Sequence, residues 1–544
     1  MRYLSENKRE DMRMKKRTAA RSMAALMGAA MVLTACGGGS TTAPTTGASS
    51  GGETQTASES AESGKITKTD IVVGQASDIV TLDPAGQQDT TSGVLMKHAY
   101  STLLDVDNEG KVVPDLAESY EMKSDTEYVF KLREDACFWD GTPVTAQDVK
   151  FSLDRAKGMP KTKSNTSKIE EVTVNGDHEV TIKLTEPYAA FKTIVTQHNL
   201  SILSEKAVTE AGDSYGDVDN LLGSGPFKVT EWVPNDHYTL VRNDNYWGEM
   251  PIATSITCRV IPEGSARTIA LEAGEIDVVW SVDPTDCANV ESNPDVKLLS
   301  QPSTGIDYVG MNTQKEKFSD KRVRQAINYA LDKQTFVDTI IEGRGLVANS
   351  YINAAIPGWT DEVEAYPYDP EKAKELLAEA GYPDGFECSI FVNGDLRTRS
   401  AQILQAQLAD VGIKVDISTY EWGALLDTLN AGEHEMFLLG WSNTSFDPDG
   451  STYQLFYSGN HGATGNRAFF SNDKVDELIL SAQRESEESK RMELYKELQF
   501  VLHEESPWCP LYYKENNVGV RADLKGFTLH AGAQHYLGNC HYEE

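Results

Sequence analysis

Four segments in the first half of the chain alternate apolar and polar residues with a period of two. They are "YVFKLRE" (128–134), "EVTIKLTE" (179–186), "HYTLVRN" (237–243) and "SITCRVI" (255–261), and each predicts a half-buried β-strand. Later the period becomes helical. In "YDPEKAKELLAEAGYPDG" (368–385), Asp369 is placed to cap a helix, Pro370 to open it and Gly381 to stop it. "SDKRVRQAINYALDKQTFVDTIIEG" (319–343) predicts two helices divided near Leu331-Asp332, the second ended by Gly343. "SKRMELYKELQFVLHEESP" (489–507) carries Tyr495, Leu498 and Leu502 along one face as far as Pro507. The run "MFLLG" (436–440) predicts a short buried strand ending at Gly440. The loop after it, "GWSNTSFDPDG" (440–450), sets a tryptophan beside small hydrogen-bonding side chains and two carboxylates, as the floor of a ligand site would. Strands and helices mix without a strict βαβ rhythm, and no internal repeat is visible. The pattern predicts an α/β (mixed α+β) protein in several lobes.

The first 64 residues stand apart. Residues 1–35 combine a Lys/Arg-rich start with the apolar stretch 22–34, the length of a signal-peptide core and too short to span a bilayer. The acidic "SENKRED" ahead of it is out of place in such a leader, so translation from Met12 or Met14 is the alternative start. The leader ends in Leu33-Thr34-Ala35-Cys36, which resembles the lipobox of bacterial lipoproteins, where cleavage precedes a lipid-bearing cysteine. Cys36 is the expected lipidation site; an ordinary signal peptide that happens to hold a cysteine is the plainer reading. Residues 36–64 then continue as a Gly/Ser/Thr-rich linker without large apolar side chains, unable to build a core. No later segment approaches eighteen apolar residues, so the body is expected outside the membrane and tethered to it.

The chain is strongly acidic, with 83 Asp and Glu against 50 Lys and Arg and a formal net charge of −33. That argues against nucleic acid, whose phosphates need basic neutralisation, and says little about a small ligand. Besides Cys36, the cysteines at 137, 258, 287, 388, 509 and 540 are widely spaced with no CxxC motif. The compartment permits disulfides, but mostly free, buried thiols are expected.

Catalytic patterns are missing: there is no GxSxG elbow, HExxH, P-loop or GxGxxG after a strand. "GSG" (223–225) reads as a turn. "DVDNEG" (105–110) imitates the start of a calcium loop, but the twelfth position is Leu116 where a bidentate Glu belongs, so a hairpin turn through Asn108-Glu109-Gly110 is expected. His530, His535, Cys540 and His541 gather in the tail at spacings that match no metal-ligand template and read as scattered surface groups. No catalytic residue, cofactor or metal is assigned.

Over the whole body the motifs resemble those of solute-binding protein family 5, the peptide/nickel class of ABC-importer receptors. "FWDGTPVTAQDVKFSLDR" (138–155) is similar to its signature. "TLDPA", "GKVVPDLAESYE", "GSGPFKVTEWVPNDHYTLVRNDNYWG", "LEAGEIDVVW", "MNTQKEKFSDKRVRQAINYALD" and "TYEWGALLDTLNAGEHEMFLLGW" match in the family's order. The resemblance implies a two-lobed periplasmic-binding-protein-like fold that closes by hinge motion, with an extra domain inserted in the first lobe. It places lobe I at 65–105, 222–311 and 506–544, the extra domain at 106–221 and lobe II at 312–505. The signature falls in the extra domain and is expected to be structural, with Thr145 capping a helix and Val149, Phe151 and Leu153 packing.

The implied function is an extracytoplasmic, lipid-anchored receptor, monomeric, that hands di- or oligopeptides to an ABC permease without chemistry. A nickel-chelate or other non-peptide receptor and an anchored peptidase are the alternatives. Peptide-binding members keep an acid in the loop after Gly-Trp for the ligand's ammonium. Aligning on Gly440-Trp441 puts Thr444 there, with Asp447 as the substitute acid unless Asp447-Pro448-Asp449-Gly450 is a plain turn. Trp441, Asn443, Thr444, Ser445 and Tyr308 are the expected cleft residues, and Arg397 and Arg399 are candidates for the ligand's carboxylate.

Overall fold

The computed structural model describes residues 65–544; the leader, Cys36 and linker readings lie outside the described residues. The four alternating segments form strands Glu127–Leu132, Glu179–Leu184, His237–Arg242 and Ser255–Val260. The first two are the middle strands of a four-stranded antiparallel sheet, edged by Ala117–Ser124 and Ile169–Gly176. Helix Ala146–Lys157 packs on it, burying Val149 and Leu153 against Phe130 and Ile182. Asp148 accepts the Thr145 N–H at 2.9 Å, one half of a capping box. The core of this inserted unit runs from Leu103 to Ile202.

The signature motif joins this unit to the first lobe. Phe138 and Val144 belong to the inserted core. Trp139 instead packs with Tyr100 and Phe227 of the neighbouring lobe and donates through Nε1 to the Gly225 carbonyl at 3.2 Å. Phe151 leans on that same core, and Arg155 pairs with Asp83 at 2.6 Å.

One eleven-stranded sheet runs through both lobes. On the first side Phe227–Val233, His237–Arg242, Ser255–Val260, Asp70–Gln75 and Val278–Val279 lie in that order. On the second, Met436–Ser442, Phe386–Val392 and Ile413–Thr419 follow, and the short strand Gly345–Val347 pairs off this path with Trp508–Arg521. Between them the long antiparallel strands Val296–Met311 and Trp508–Arg521 cross from one lobe to the other. Their register slips between Pro302 and Ile306, where proline supplies no ladder donor. Val296–Pro302 pairs only with the 515–521 half, whereas Gly305–Met311 also pairs with Met436–Ser442.

The caps act as the sequence suggests. Asp369 accepts the Lys372 N–H at 2.9 Å and opens helix Pro370–Glu379; Gly381 follows it with φ +95°. Helices Lys321–Ala330 and Lys333–Thr339 divide at Leu331-Asp332. Helix Glu488–Glu505 buries Tyr495, Leu498 and Leu502 and ends at Ser506 in left-handed backbone.

Other expectations are corrected. The strand from Met436 does not stop at Gly440: Trp441 and Ser442 stay in the ladder opposite Ile306 and Gly305. Asp447 to Gly450 is no plain turn, because Asp449 begins helix Asp449–Phe456 and Asp447 is buried in an ion pair. The tail is not scattered over the surface. His530 and His535 are each 2% exposed, Leu537 and Cys540 are buried in the first lobe's core, and Leu537 N–H donates to His98 Nε2 at 3.0 Å. "DVDNEG" does form a tight turn between strands Leu104–Val106 and Val112–Pro114, with Asp107 Oδ1 accepting the N–H groups of Glu109 and Lys111. The six cysteines of the described residues are unpaired, and all but Cys137 are buried.

Candidate ligand-binding site

A cavity of about 390 Å³ lies where the two lobes and the inserted unit meet. The first lobe contributes Gln87, Gln88 and Asp89, from the turn that opens helix Thr90–Ala99, together with Trp280 and His535. The inserted unit contributes Asn165 and the 197–199 turn. The second lobe contributes Arg397, Trp422, the end of strand Met436–Ser442, Thr444 and Arg467. Three tryptophans, several amides and a few charges make the mixed apolar and polar lining that grips a small buried ligand.

Gly440 faces Asp307 across the ladder. A Cβ there would stand 3.1 Å from both carboxylate oxygens, so glycine leaves room for that buried acid. Asp307 pairs with Lys514 at 2.8 Å and lies 3.9 Å from Arg397 Nε, so two cations of the wall share one carboxylate. The Arg397 guanidinium also sits 5.9 Å from the Trp422 ring centre. Trp441 donates through Nε1 to the Gly450 carbonyl at 3.1 Å, which fixes its indole in the wall.

The loop after Trp441 is held from within. Asn443 donates to the Asp447 carbonyl at 2.7 Å and to Ser451 Oγ at 2.8 Å, and it accepts from both the N–H and hydroxyl of Ser445. Asp447 takes both Nη groups of Arg491. Phe446 is thereby kept at φ +56°, an unusual backbone for an aromatic residue, against Gly110 of the inserted unit and edge-on to His530. Thr444 donates its hydroxyl to Gln197 Oε1 at 2.9 Å, bridging the second lobe to the inserted unit.

Of the residues read from the sequence, Trp441, Thr444 and Arg397 therefore line the cavity. Asn443 and Ser445 face a side recess and support the loop. Tyr308 is in the core, stacked on Trp508 at 3.4 Å between ring centres. Arg399 pairs across the lobes with Asp283 at 2.6 Å, and Asp447 is committed to Arg491. Sequence reasoning missed Asp89, Trp280, Trp422 and Arg467. His535 was noticed, but only as a surface group. Burial holds the His535 imidazole down at about 3, so it is neutral at pH 7.

Further contacts join the lobes and the inserted unit. Arg344 pairs with Glu291 at 2.7 Å, Gln88 donates to Gln454 Oε1 at 3.2 Å, and Tyr188 donates to Asp449 at 2.5 Å. The family model for bacterial extracellular solute-binding proteins, family 5, matches residues 111–463. The chain belongs to this family. Glutathione-binding protein GsiB of Shigella boydii serotype 4 is 32% identical over 479 residues, covering 85% of this chain and 92% of the relative. The periplasmic binding protein DppA of Helicobacter pylori, solved with the peptide STSA, superposes with a TM-score of 0.84 at 28% identity, over 88% of this chain and 99% of that one. The oligopeptide-binding protein AppA of Bacillus subtilis, solved with a nonapeptide, gives 0.81 at 26% identity, over 88% and 100%. A family 5 member of this kind is a solute-binding protein of an ABC importer, and its two-lobed fold with an inserted unit agrees with the cavity's three walls. Among the described residues no helix is long and apolar enough to cross a membrane.

Proposed function

We propose that the protein is an extracytoplasmic, lipid-anchored receptor that captures a di- or oligopeptide, or a glutathione-like solute, and delivers it unchanged to an ABC permease. The observation that carries this reading is the cavity itself, walled by both lobes and by Trp280, Trp422 and Trp441. It is large enough for a few residues of peptide. Relatives named for glutathione and neighbours solved with peptides point the same way. The lobes are assigned to 65–105, 222–311 and 506–544 and to 312–505, with the inserted domain at 106–221. The hinge is assigned to the slipped register between Pro302 and Ile306.

Asp283 and Arg399 already meet across the lobes at 2.6 Å, as in a closed cleft, and the Thr285 and Arg399 contacts hold the Asp283 carboxyl below its usual range despite its burial. Native mass spectrometry of the protein purified under mild conditions tests the reading. A co-purified peptide or glutathione supports it. A metal chelate supports the nickel-type alternative, and ligand fragments that accumulate with time support a peptidase. Cys36→Ala tests the anchor: the variant leaves the membrane fraction, and continued tight membrane association contradicts the lipoprotein reading.

A further inference from the structure

Two charged side chains of the cleft make no ion pair among the described residues. Arg467 is 5% exposed, and the one hydrogen bond of its guanidinium among the described residues runs from Nε to Asn430 Oδ1 at 3.0 Å. No carboxylate there lies within ion-pair distance of it, whereas Arg344, Arg397, Arg399, Arg491 and Lys514 each have one. A buried guanidinium left this way is costly, and its two free Nη groups form a fork of the shape that takes a carboxylate in two parallel bonds. Burial pulls the pKa of Arg467 down, and the carboxyl of Asp89 acts against that.

Asp89 lines the same cavity from the first lobe. Its Oδ1 caps helix Thr90–Ala99 by accepting the Ser92 N–H at 2.9 Å. That cap uses one oxygen. The other, Oδ2, is shut off from solvent and makes no hydrogen bond of normal geometry; the Trp422 indole N–H, likewise unpaired, faces the acid from the second lobe and favours its ionised form. Burial raises the Asp89 carboxyl above its usual range; Lys161 acts against this from nearby, yet it makes no ion pair with Asp89 within 4.0 Å. An ordinary helix cap does not account for a buried second oxygen without a partner at the wall of the cleft, and a ligand ammonium does.

We propose that Asp89 and Arg467 together bind a zwitterionic amino-acid head, an ammonium and a carboxylate carried on one carbon. This rests on the reading of the cleft as the ligand site and names the chemistry it takes. In an α-linked peptide the amino terminus and the terminal carboxylate are driven apart by roughly 3.3–3.6 Å for each residue between them. A γ-linked glutamyl group instead presents both from a single carbon, and this suits two opposite charges facing one cavity and acting on each other. The head thus takes over the task that an acid in the loop after Trp441 would perform, a place held here by Thr444.

The test compares glutathione, in which glutamate is γ-linked, with its isomer α-linked Glu-Cys-Gly, identical in atoms and charge. Calorimetry on the purified protein should show glutathione bound at least about tenfold tighter than the isomer. Asp89→Asn, which keeps the cap, and Arg467→Gln should each weaken glutathione by about tenfold or more and bring the two isomers towards equal affinity. Arg467→Lys, which keeps the charge without the fork, should retain part of the preference; a general folding defect would weaken both isomers alike. Equal affinities in the unaltered protein, or a preference that survives Asp89→Asn and Arg467→Gln, overturns the proposal. If neither isomer binds but other α-linked peptides do, the head-group proposal fails and the peptide-receptor reading stands. If no peptide binds, both fail.

Discussion

Replacing Asp447 with asparagine separates a structural role for the loop acid from a ligand role. Arg491 grips Asp447 with both Nη groups, Nη1 to Oδ2 at 2.9 Å, and the two side chains are only 9% and 11% exposed. Solvent screens such a pair little, and removing one partner of a buried pair typically costs about 3–5 kcal/mol. Asparagine keeps the shape and one acceptor, and a second acid stands by. Burial and the charge of Asp447 push the Asp449 carboxyl up to about 6. Without that charge Asp449 ionises more readily and compensates Arg491 in part. The expected loss is therefore near the lower bound, about 3 kcal/mol, or roughly two orders of magnitude in the unfolding equilibrium of the second lobe. Urea unfolding followed by tryptophan fluorescence should show the midpoint fall. Calorimetry with glutathione, at a temperature where the variant is folded, should show affinity within about fivefold of the unaltered protein. An unchanged midpoint with binding abolished would mean that Asp447 faces the ligand, and would refute the reasoning.

Other outcomes follow from the same contacts. Arg399→Ala removes a cross-lobe pair whose arginine is 35% exposed; a pair of that kind is worth about 0.2–1 kcal/mol, so ligand affinity should fall by no more than about fivefold, and less at high salt. A larger loss would place Arg399 against the ligand. Gly110→Ala should destabilise by about 1 kcal/mol or more, because the backbone has φ +83° and a Cβ would lie 2.6 Å from Phe446 Cδ1; an unaltered melting temperature would contradict this. Burial depresses His98, His434, His503 and His530 to about 4 and His198 and His535 to about 3. Their contribution to stability is present above the unfolded value of about 6.5 and is lost as pH falls towards the folded values. Burial raises Asp115 to about 7 and Asp449 to about 6, with the opposite sign: their contribution is present below about 4 and lost as pH rises through 6–7. The histidines outnumber them, so denaturation midpoints should be lower at pH 5.5 than at pH 7.5, and a rise would contradict the burial of these histidines.

Local signals were readable where the chain carries both halves of the information. Asp369-Pro370 with Gly381 brackets a helix because cap, first turn and stop lie within a dozen residues. The alternating strands were visible for the same reason. Trp441 and Thr444 were found because a strand end and its loop are contiguous. The DPDG stretch has the composition of a turn, and only the fold reveals that Arg491, far along the chain, neutralises Asp447. The tail looked exposed because its histidines are polar, yet His535 stacks on Trp280 at 5.2 Å from a distant segment. Asp89 carries the sequence mark of a helix cap and nothing that betrays its unused oxygen. Arg467, in "GNRAFF", lies outside any periodic element, and the one hint was an arginine next to residues apolar enough to be buried.

Whether one ligand is held in one cleft between the two lobes is tested most directly by titrating glutathione and short peptides into the purified protein by calorimetry, with intrinsic fluorescence recorded in parallel. Trp280, Trp422 and Trp441 line the cavity, so the account predicts a fluorescence change that saturates together with the heat, at one mole of ligand per mole of protein. Trp441→Ala should weaken the binding and reduce that change. Saturation at two or more equivalent sites, or unchanged binding in Trp441→Ala, would contradict it.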